Sequence, residues 1–487
     1  MQGRFSGIWK RNSFLVLGRK QAKSTVAKPD RITLLPGHVI DHILCYLPIK
    51  EAVRTSVLSS KWRNKWYTLP NLVFSNAALQ DRMVFESKFI KMVDHVLLLH
   101  SGSINMFKLS DSGHDIFSVN VATDIDRWIL YLIGKSIKEL VLEVLMDEFY
   151  KIPWCLFSCQ SLHRLKLYSC WLNPPTTFEG FKNLRSLDLD QISMTQDAFE
   201  NLISSCPLLE HLRLADVIGV SQVNIHAPNL KVFDIYDQFE DIRFVDTLQL
   251  TTVAINLSLY LNSETYQNRL HGCSSNLLKF FDGLPHIQSL EIHQDFLKYL
   301  AAGVVPVNLP TPCINLSYLS LTIKLNDLTE VSAALCLLRS SPNLRTLEIF
   351  ARIKEHTVLS TPTSYCWEDI FSRPTTPIKA RHVTMDGISA TKLELDFIRF
   401  LLLYLPVLET MHVKAGANVT LELTKTLNQF KRASGEAKVI WEDDMSSSVV
   451  DPIYDEERSN NEEVEVSPIM EKRQSKKPRW MKDYVCK

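Results

Sequence analysis

Leu162-His-Arg-Leu-Lys-Leu-Tyr168, Leu184-Arg-Ser-Leu-Asp-Leu-Asp190 and Leu209-Glu-His-Leu-Arg-Leu214 repeat one kernel, L-x-x-L-x-L. Alternation of apolar and polar residues at the end of each kernel is the mark of a half-buried strand. With Ile, Val or Phe allowed at the leucine positions, the kernel starts at Ile137, Leu162, Leu184, Leu209, Leu230, Leu250, Ile287, Leu316, Leu344 and Leu408. Up to Leu250 the starts lie 20 to 25 residues apart; later intervals stretch, with an insertion around Asn262 to Ser275. Single strings of this kind arise by chance in any Leu-rich chain, but a near-regular series implies stacked units of one short strand and one return segment. Helical returns are legible before several kernels, at Phe199 to Ser205, Asn276 to Leu284 and Val331 to Ser340.

In such a stack the kernel leucines point inward and the residues between them form an outer strand face. Its members are Arg164, Lys166 and Tyr168, then Ser186, Asp188 and Asp190, then His211 and Arg213. Asp234, Tyr236, Ser289, Glu291, His293, Tyr318, Glu348 and Phe350 continue it. Charge mixed with aromatic groups suits a protein or peptide partner. The expected target-binding set is Arg164, Lys166, Tyr168, His211, Arg213 and Tyr236. Within it Arg164, Lys166, Tyr168 and, about two strands further along, Arg213 would form a basic, aromatic patch that complements an acidic or phosphorylated segment.

Upstream, Asp30 to Phe74 reads D-R-I-T-L-L-P-G-H-V-I-D-H-I-L-C-Y-L-P-I-K-E-A-V-R-T-S-V-L-S-S-K-W-R-N-K-W-Y-T-L-P-N-L-V-F. Pro36 opens a short helix, and Val39, Ile40, Ile43, Leu44 and Leu47 give it one apolar stripe. Pro48 stops it. A second run covers Ile49 to Leu58, and Ser59 or Ser60 can cap a third in which Trp62 and Trp66 share a face. So small a module is marginal alone, and part of its apolar surface should serve an interface.

Leu35-Pro36, Ile43-Leu44, Leu47-Pro48, Ala52, Leu58-Ser59, Trp62-Arg63 and Trp66 resemble the F-box, the helical module that docks a Skp-type adaptor in cullin-based ubiquitin ligases. The repeats that follow resemble those of plant F-box proteins with leucine-rich repeats. That resemblance implies adaptor contacts from Leu35, Pro36, Ile40, Ile43, Leu44, Leu47, Pro48, Leu58, Trp62 and Trp66.

Between the two regions, Asp81 to His100 has helical spacing through Phe85, Phe89, Met92, Val93, Val96 and Leu97. Ser103 to Val121 alternates like strands, and Asp124 to Gly134 returns to a helix around Trp128 and Leu132. Beyond a Thr- and Pro-rich link at Thr357 to Ser364, a module begins at Cys366-Trp367. It runs through a strand-like Lys379 to Met385, a helix from Lys392 to Leu405 and a helical pattern at Leu423, Leu427 and Phe430, to F-K-R-A-S-G-E-A-K-V-I-W at 430–441. This block resembles the FBD domain of plant F-box proteins. The expected organisation is a basic leader at 1–29, an F-box at 30–75 and connecting elements at 76–135. Repeats at 136–356, an FBD domain at 365–442 and a tail at 443–487 complete it. The fold class is α+β, an α/β solenoid: a three-helix F-box, an irregular leucine-rich-repeat horseshoe and an FBD module.

The chain of 487 residues has 54 basic and 54 acidic residues, a balance that gives no general attraction to nucleic acid or membrane. The leader holds seven Lys or Arg and no acid, compatible with a transit peptide or an unstructured extension. Glu442 to Glu471 is acid-rich, and Lys472 to Arg479 forms a basic cluster of the nuclear-import sort or a solvated run. No apolar run reaches the ~18 residues of a membrane span. Ten cysteines lie scattered without a C-x-x-C pair, the pattern of reduced intracellular thiols. His38, His42 and Cys45 have helical spacing for a metal but no fourth ligand nearby, and no phosphate-cradling glycine loop occurs. No cofactor is called for.

The combined expectation is a non-catalytic substrate receptor in the nucleus or cytoplasm. Its F-box would bind a Skp-type adaptor, and a cullin through it, while the repeat face holds a target protein. The alternative is an adaptor-binding scaffold unconnected with degradation; a small-molecule sensor would need a deep pocket, and an enzyme an activated nucleophile that nothing marks.

Overall fold

The computed structural model describes residues 32, 34–75, 82–110, 121–258, 275–352, 370–371, 374, 376–389, 391–415 and 429–443. The leader, the Thr- and Pro-rich link, Cys366-Trp367, Leu423 with Leu427, the basic cluster and almost all of the insertion lie outside these residues.

Two short helices begin the described chain, α1 (Gly37–Cys45) and α2 (Ile49–Arg54), each preceded by a proline in extended conformation. The second run goes over to a 3-10 turn at Thr55–Val57. The expected third helix does not form. Trp62 and Trp66 are carried by turns and a 3-10 segment, Lys65–Thr68, entered through Asn64 at φ −117°. Ser59, Ser60 and Asn64 are poor helix formers whose side chains favour turns, and they outweigh the four-residue tryptophan spacing.

Strand β1 (Asn71–Ser75) follows, then α3 (Arg82–Leu99), β2 (Met106–Ser110), α4 (Ala122–Gly134) and β3 (Glu139–Glu143). A side ladder of β4 (Tyr150–Lys151) and β6 (Cys170–Trp171) flanks β5 (Arg164–Tyr168) in sequence, and β7 (Ser186–Asp190) comes next. The helix Gln196–Ser204 leads to β8 (His211–Ala215); β9 (Gln222–His226) and β11 (Asp241–Val245) form a second side ladder around β10 (Val232–Asp237). Then come β12 (Thr252–Leu257), β13 (Ser289–Gln294), β14 (Tyr318–Ile323), β15 (Thr346–Ala351), β16 (His382–Ile388), β17 (Thr410–Ala415) and β18 (Lys438–Asp443).

Apart from the two side ladders, all of these strands join one parallel sheet of 14 strands in chain order. The kernel explains the rung. Its first leucine is buried where the chain turns into the strand, as Leu162, Leu184 and Leu209 show, and the next two fill the second and fourth strand positions. Up to β17, each rung also hands on a carbonyl that accepts two N–H groups of the next: Pro70 O from Asn105 and Met106, Asn105 O from Lys138 and Glu139, Lys138 O from His163 and Arg164. The same pairing recurs at Arg345 O, which accepts from Arg381 and His382, and at Arg381 O, which accepts from Glu409 and Thr410.

This ladder runs without a break from the end of the helical module through the connecting elements and the repeats to β18. Kernels missing from the sequence reading are therefore present at Leu69, Ile104 and Ala380, all buried at the entry to β1, β2 and β16. Buried apolar residues from Ile40 to Ala437 form one contiguous core. Rung exits repeat too: Ser169, Gln191 and Asp216 adopt φ of 53°, 51° and 49°, and each donates its N–H to the neighbouring rung. Those bonds offset the ~1–2 kcal/mol that a non-glycine residue loses in the left-handed region. Gly180, at φ 97°, lies so close to Ser205 that a Cβ would fall 1.8 Å from its carbonyl oxygen.

Candidate functional site

Two surfaces separate once burial is known. In the helical module, Ile40, Leu44, Trp62 and Trp66 are fully buried and form its interior. Leu35 and Leu47 are half-buried against that core, whereas Pro36, Ile43, Pro48 and Leu58 are exposed. The ten expected contact residues thus divide into a supporting layer and an outer set. The outer set has further members outside those ten: Ile32, Leu34 (65% exposed), Tyr46 (76%) and Val57 (87%). Tyr46 lies three residues after Ile43 at the end of α1, a helical-neighbour spacing that could have revealed it.

The framework under this surface is pinned by polar contacts. Trp62 Nε1 donates to Ile32 O at 3.3 Å, holding the segment before α1, and Lys65 Nζ meets Asp41 Oδ2 at 2.9 Å, tying α1 to the 3-10 segment. His42 packs edge-on against the largely exposed Tyr46 ring at 5.1 Å.

The second surface is the outer face of the long sheet. Arg164, Lys166 and Tyr168 all face outward from β5, and Arg213 stands two strands away on β8, as expected. His211 and Tyr236 are exposed on the same face. Among the described residues these basic groups do not form a free patch. Arg164 Nη1 lies 3.7 Å from Glu139, Lys166 Nζ 2.8 Å from Glu143 and 3.5 Å from Asp188, and Arg213 Nε 3.5 Å from Asp234. Parallel register sets these partners side by side: Glu139 beside Arg164, Lys166 beside Asp188, Arg213 beside Asp234.

The titration behaviour agrees. Burial would raise the Glu143 carboxyl, but hydrogen bonds from Lys166 and Ser110 hold it below the usual carboxylate range. Burial pushes the Asp190 and Asp234 carboxyls up, against the pull of Arg213, with Asp188 and other neighbouring carboxylates adding to the rise. Asp237 is pushed up to about 6 by burial, although the N–H groups of Gln238 and Val217 donate to it.

Residues 32–74 match the model of the F-box domain, and residues 125–349 match that of the LRR repeats of the FBD-associated F-box protein At5g56370. The F-box/FBD/LRR-repeat protein At1g13570 of Arabidopsis thaliana is 37% identical over 423 residues, covering 85% of this chain and 98% of that protein. The chain belongs to the plant F-box/FBD/LRR-repeat family. The Arabidopsis F-box/LRR-repeat protein At3g59200 is 35% identical over 201 residues, 39% of this chain and 37% of its own length. The FBD-associated F-box protein At5g22730, also from Arabidopsis, is 28% identical over 371 residues, 68% of this chain and 77% of its own.

In this F-box protein burial pushes the Cys170 and Cys313 thiols up to about 12 and those of Cys206 and Cys336 up to about 11. Among the described residues no group of His, Cys, Asp or Glu is placed to hold a metal ion, and no helix is long and apolar enough to cross a membrane.

Proposed function

We propose that this F-box protein is the substrate-recognition subunit of an SCF-type ubiquitin ligase. The exposed apolar side chains of the F-box dock a Skp-type adaptor, and the adaptor joins the chain to a cullin in the nucleus or cytoplasm. The outer sheet face holds the target protein. Transfer of ubiquitin takes place on other subunits, and this chain supplies proximity and orientation. The last rungs, β16 to β18, fall where the FBD part of the family would lie.

The observation that supports the adaptor reading is the crowding of exposed large apolar side chains into one short stretch. Ile32, Leu34, Ile43, Tyr46, Val57 and Leu58 all lie in the F-box segment, outside its own core. A monomeric surface seldom concentrates apolar groups in this way without a partner. Tyr46→Ala combined with Leu58→Asp is expected to abolish capture of a purified Skp-type adaptor while thermal unfolding of the chain stays unchanged. Full adaptor binding by that folded double variant would refute the docking role.

A further inference from the structure

One row of the outer sheet face follows a rule across five strands. Register places Asp234 of β10 beside Ala254 of β12, Ala254 beside Glu291 of β13, Glu291 beside Ser320 of β14, and Ser320 beside Glu348 of β15. Acidic and small residues alternate. With neighbouring strands ~4.8 Å apart, the carboxylates recur about every 10 Å. A chain in polyproline II conformation rises ~3.1 Å per residue with three residues per turn, so every third side chain returns to one face at a spacing that matches this repeat.

Each of these carboxylates has a partner on the face, and only Arg213, 3.5 Å from Asp234, brings a permanent charge. Tyr318 donates its hydroxyl to Glu348 Oε2 at 2.8 Å, and His293 stands 3.5 Å from Glu291. Across β7 to β15 the outward positions hold Asp188, Asp190, Asp234, Glu291 and Glu348 against the single guanidinium of Arg213. At the strand exits, Asp216 and Asp295 follow β8 and β13, Asp237 ends β10, and Lys324 and Arg352, which follow β14 and β15, both pair with Asp295. One position along the strands from the acidic row, Tyr236 and Phe350 are each 38% exposed and sit at its two ends, on β10 and β15. Four strand spacings separate them, ~19 Å, the reach of about six extended residues.

We propose that this face binds an extended cationic segment of the target, with a Lys or Arg at about every third residue and apolar groups lodged against Tyr236 and Phe350. The inference rests on the reading of the sheet face as the target surface. It reverses the sign of partner that the basic residues of single strands suggest, because those residues are already neutralised along the register.

The test uses the full chain in complex with a purified Skp-type adaptor and a fluorescent peptide repeating Arg-Gly-Ser. Anisotropy should show binding that weakens with added salt, and a peptide repeating Glu-Gly-Ser should not bind. Glu291→Gln with Glu348→Gln should weaken the arginine peptide by about tenfold or more, without altering adaptor capture. Equal affinity for the two peptides, or no loss in the folded double variant, overturns the proposal. Should the double variant misfold, Glu291→Gln alone and the peptide comparison on the native chain still decide. Replacing Lys472, Arg473, Lys476, Lys477 and Arg479 with Ala should leave peptide affinity unchanged; a gain would assign the face to this chain's own basic cluster and overturn the target assignment. A dimer that the peptide dissociates would assign it to a second copy, with the same consequence. Peptide binding without target turnover would refute the receptor reading and leave the charge inference standing.

Discussion

Leu44 and Tyr46 stand two residues apart at the end of α1, one wholly buried and the other 76% exposed. Truncating Leu44 to Ala should cost about 2–5 kcal/mol, since it empties a filled core position. Tyr46→Ala should change stability by no more than about 0.5 kcal/mol and weaken adaptor capture instead. Chemical denaturation of the two variants, read beside adaptor binding, checks the contrast; equal destabilisation would place Tyr46 in the core. Asp237 provides a titration at the same scale. Its carboxyl is pushed up to about 6 by burial, above the ordinary aspartate value, so the folded state holds its proton more tightly than the unfolded state does. Its stabilising contribution is therefore complete below about pH 4 and is lost as pH rises through about 6. The unfolding free energy of Asp237→Asn should consequently fall less than that of the native chain between those limits. Parallel pH profiles would show that Asp237 titrates normally.

At the scale of elements, turns and caps decide whether a rung closes. The helix Lys392–Tyr404 starts with a capping box: Thr391 Oγ1 accepts from Glu394 N at 3.4 Å, and Glu394 Oε2 accepts from Thr391 N at 2.7 Å. Thr391→Ala should cost about 0.5–2 kcal/mol, read as a lowered denaturation midpoint. Gly180→Ala should cost more, because it combines a left-handed backbone with an overlap against Ser205. If Gly180→Ala unfolds at the native midpoint, the close approach between these rungs is not tight. Much of this level was legible in the sequence. The spacing of Leu162, Leu184 and Leu209 places their strands, and the helical returns fall within a few residues of expectation. Leu69, Ile104 and Ala380 escaped because their kernels are disguised: Leu69 follows the helical module, Ile104 sits in a longer alternation, and Ala380 replaces a leucine with a small residue. The charge of the outer face escaped for another reason. Lys166 looks free within its own strand, and only the register of β5 with β3 and β7 brings Glu143 and Asp188 to it.

On the scale of the molecule, the F-box supplies the first strand of the parallel ladder as well as an exposed apolar surface. Its strand β1 pairs with β2 from Asn71–Met106 to Ser75–Ser110, and Leu72 and Phe74 are buried in the common core, where Phe74 meets Phe107 at 5.4 Å between ring centres. Stacked repeats draw stability from their neighbours, and a terminal unit shields the apolar end of the stack. Removing residues 32–75 therefore exposes the pairing edge of β2, and a bare parallel edge is a template for association. The shortened chain should unfold at a lower temperature than the full chain and should aggregate on heating. Scattering and calorimetry can compare it with the full-length Tyr46→Ala, Leu58→Asp variant, which loses adaptor contacts but keeps β1. Were the shortened chain monomeric with the full chain's unfolding midpoint, the F-box and the repeats would be independent folding units, and the continuous ladder from Pro70 onward would carry no stability between them. The expected outcome also decides how target trapping should be done: point changes on the exposed F-box surface would test adaptor capture without opening the sheet proposed to hold the target.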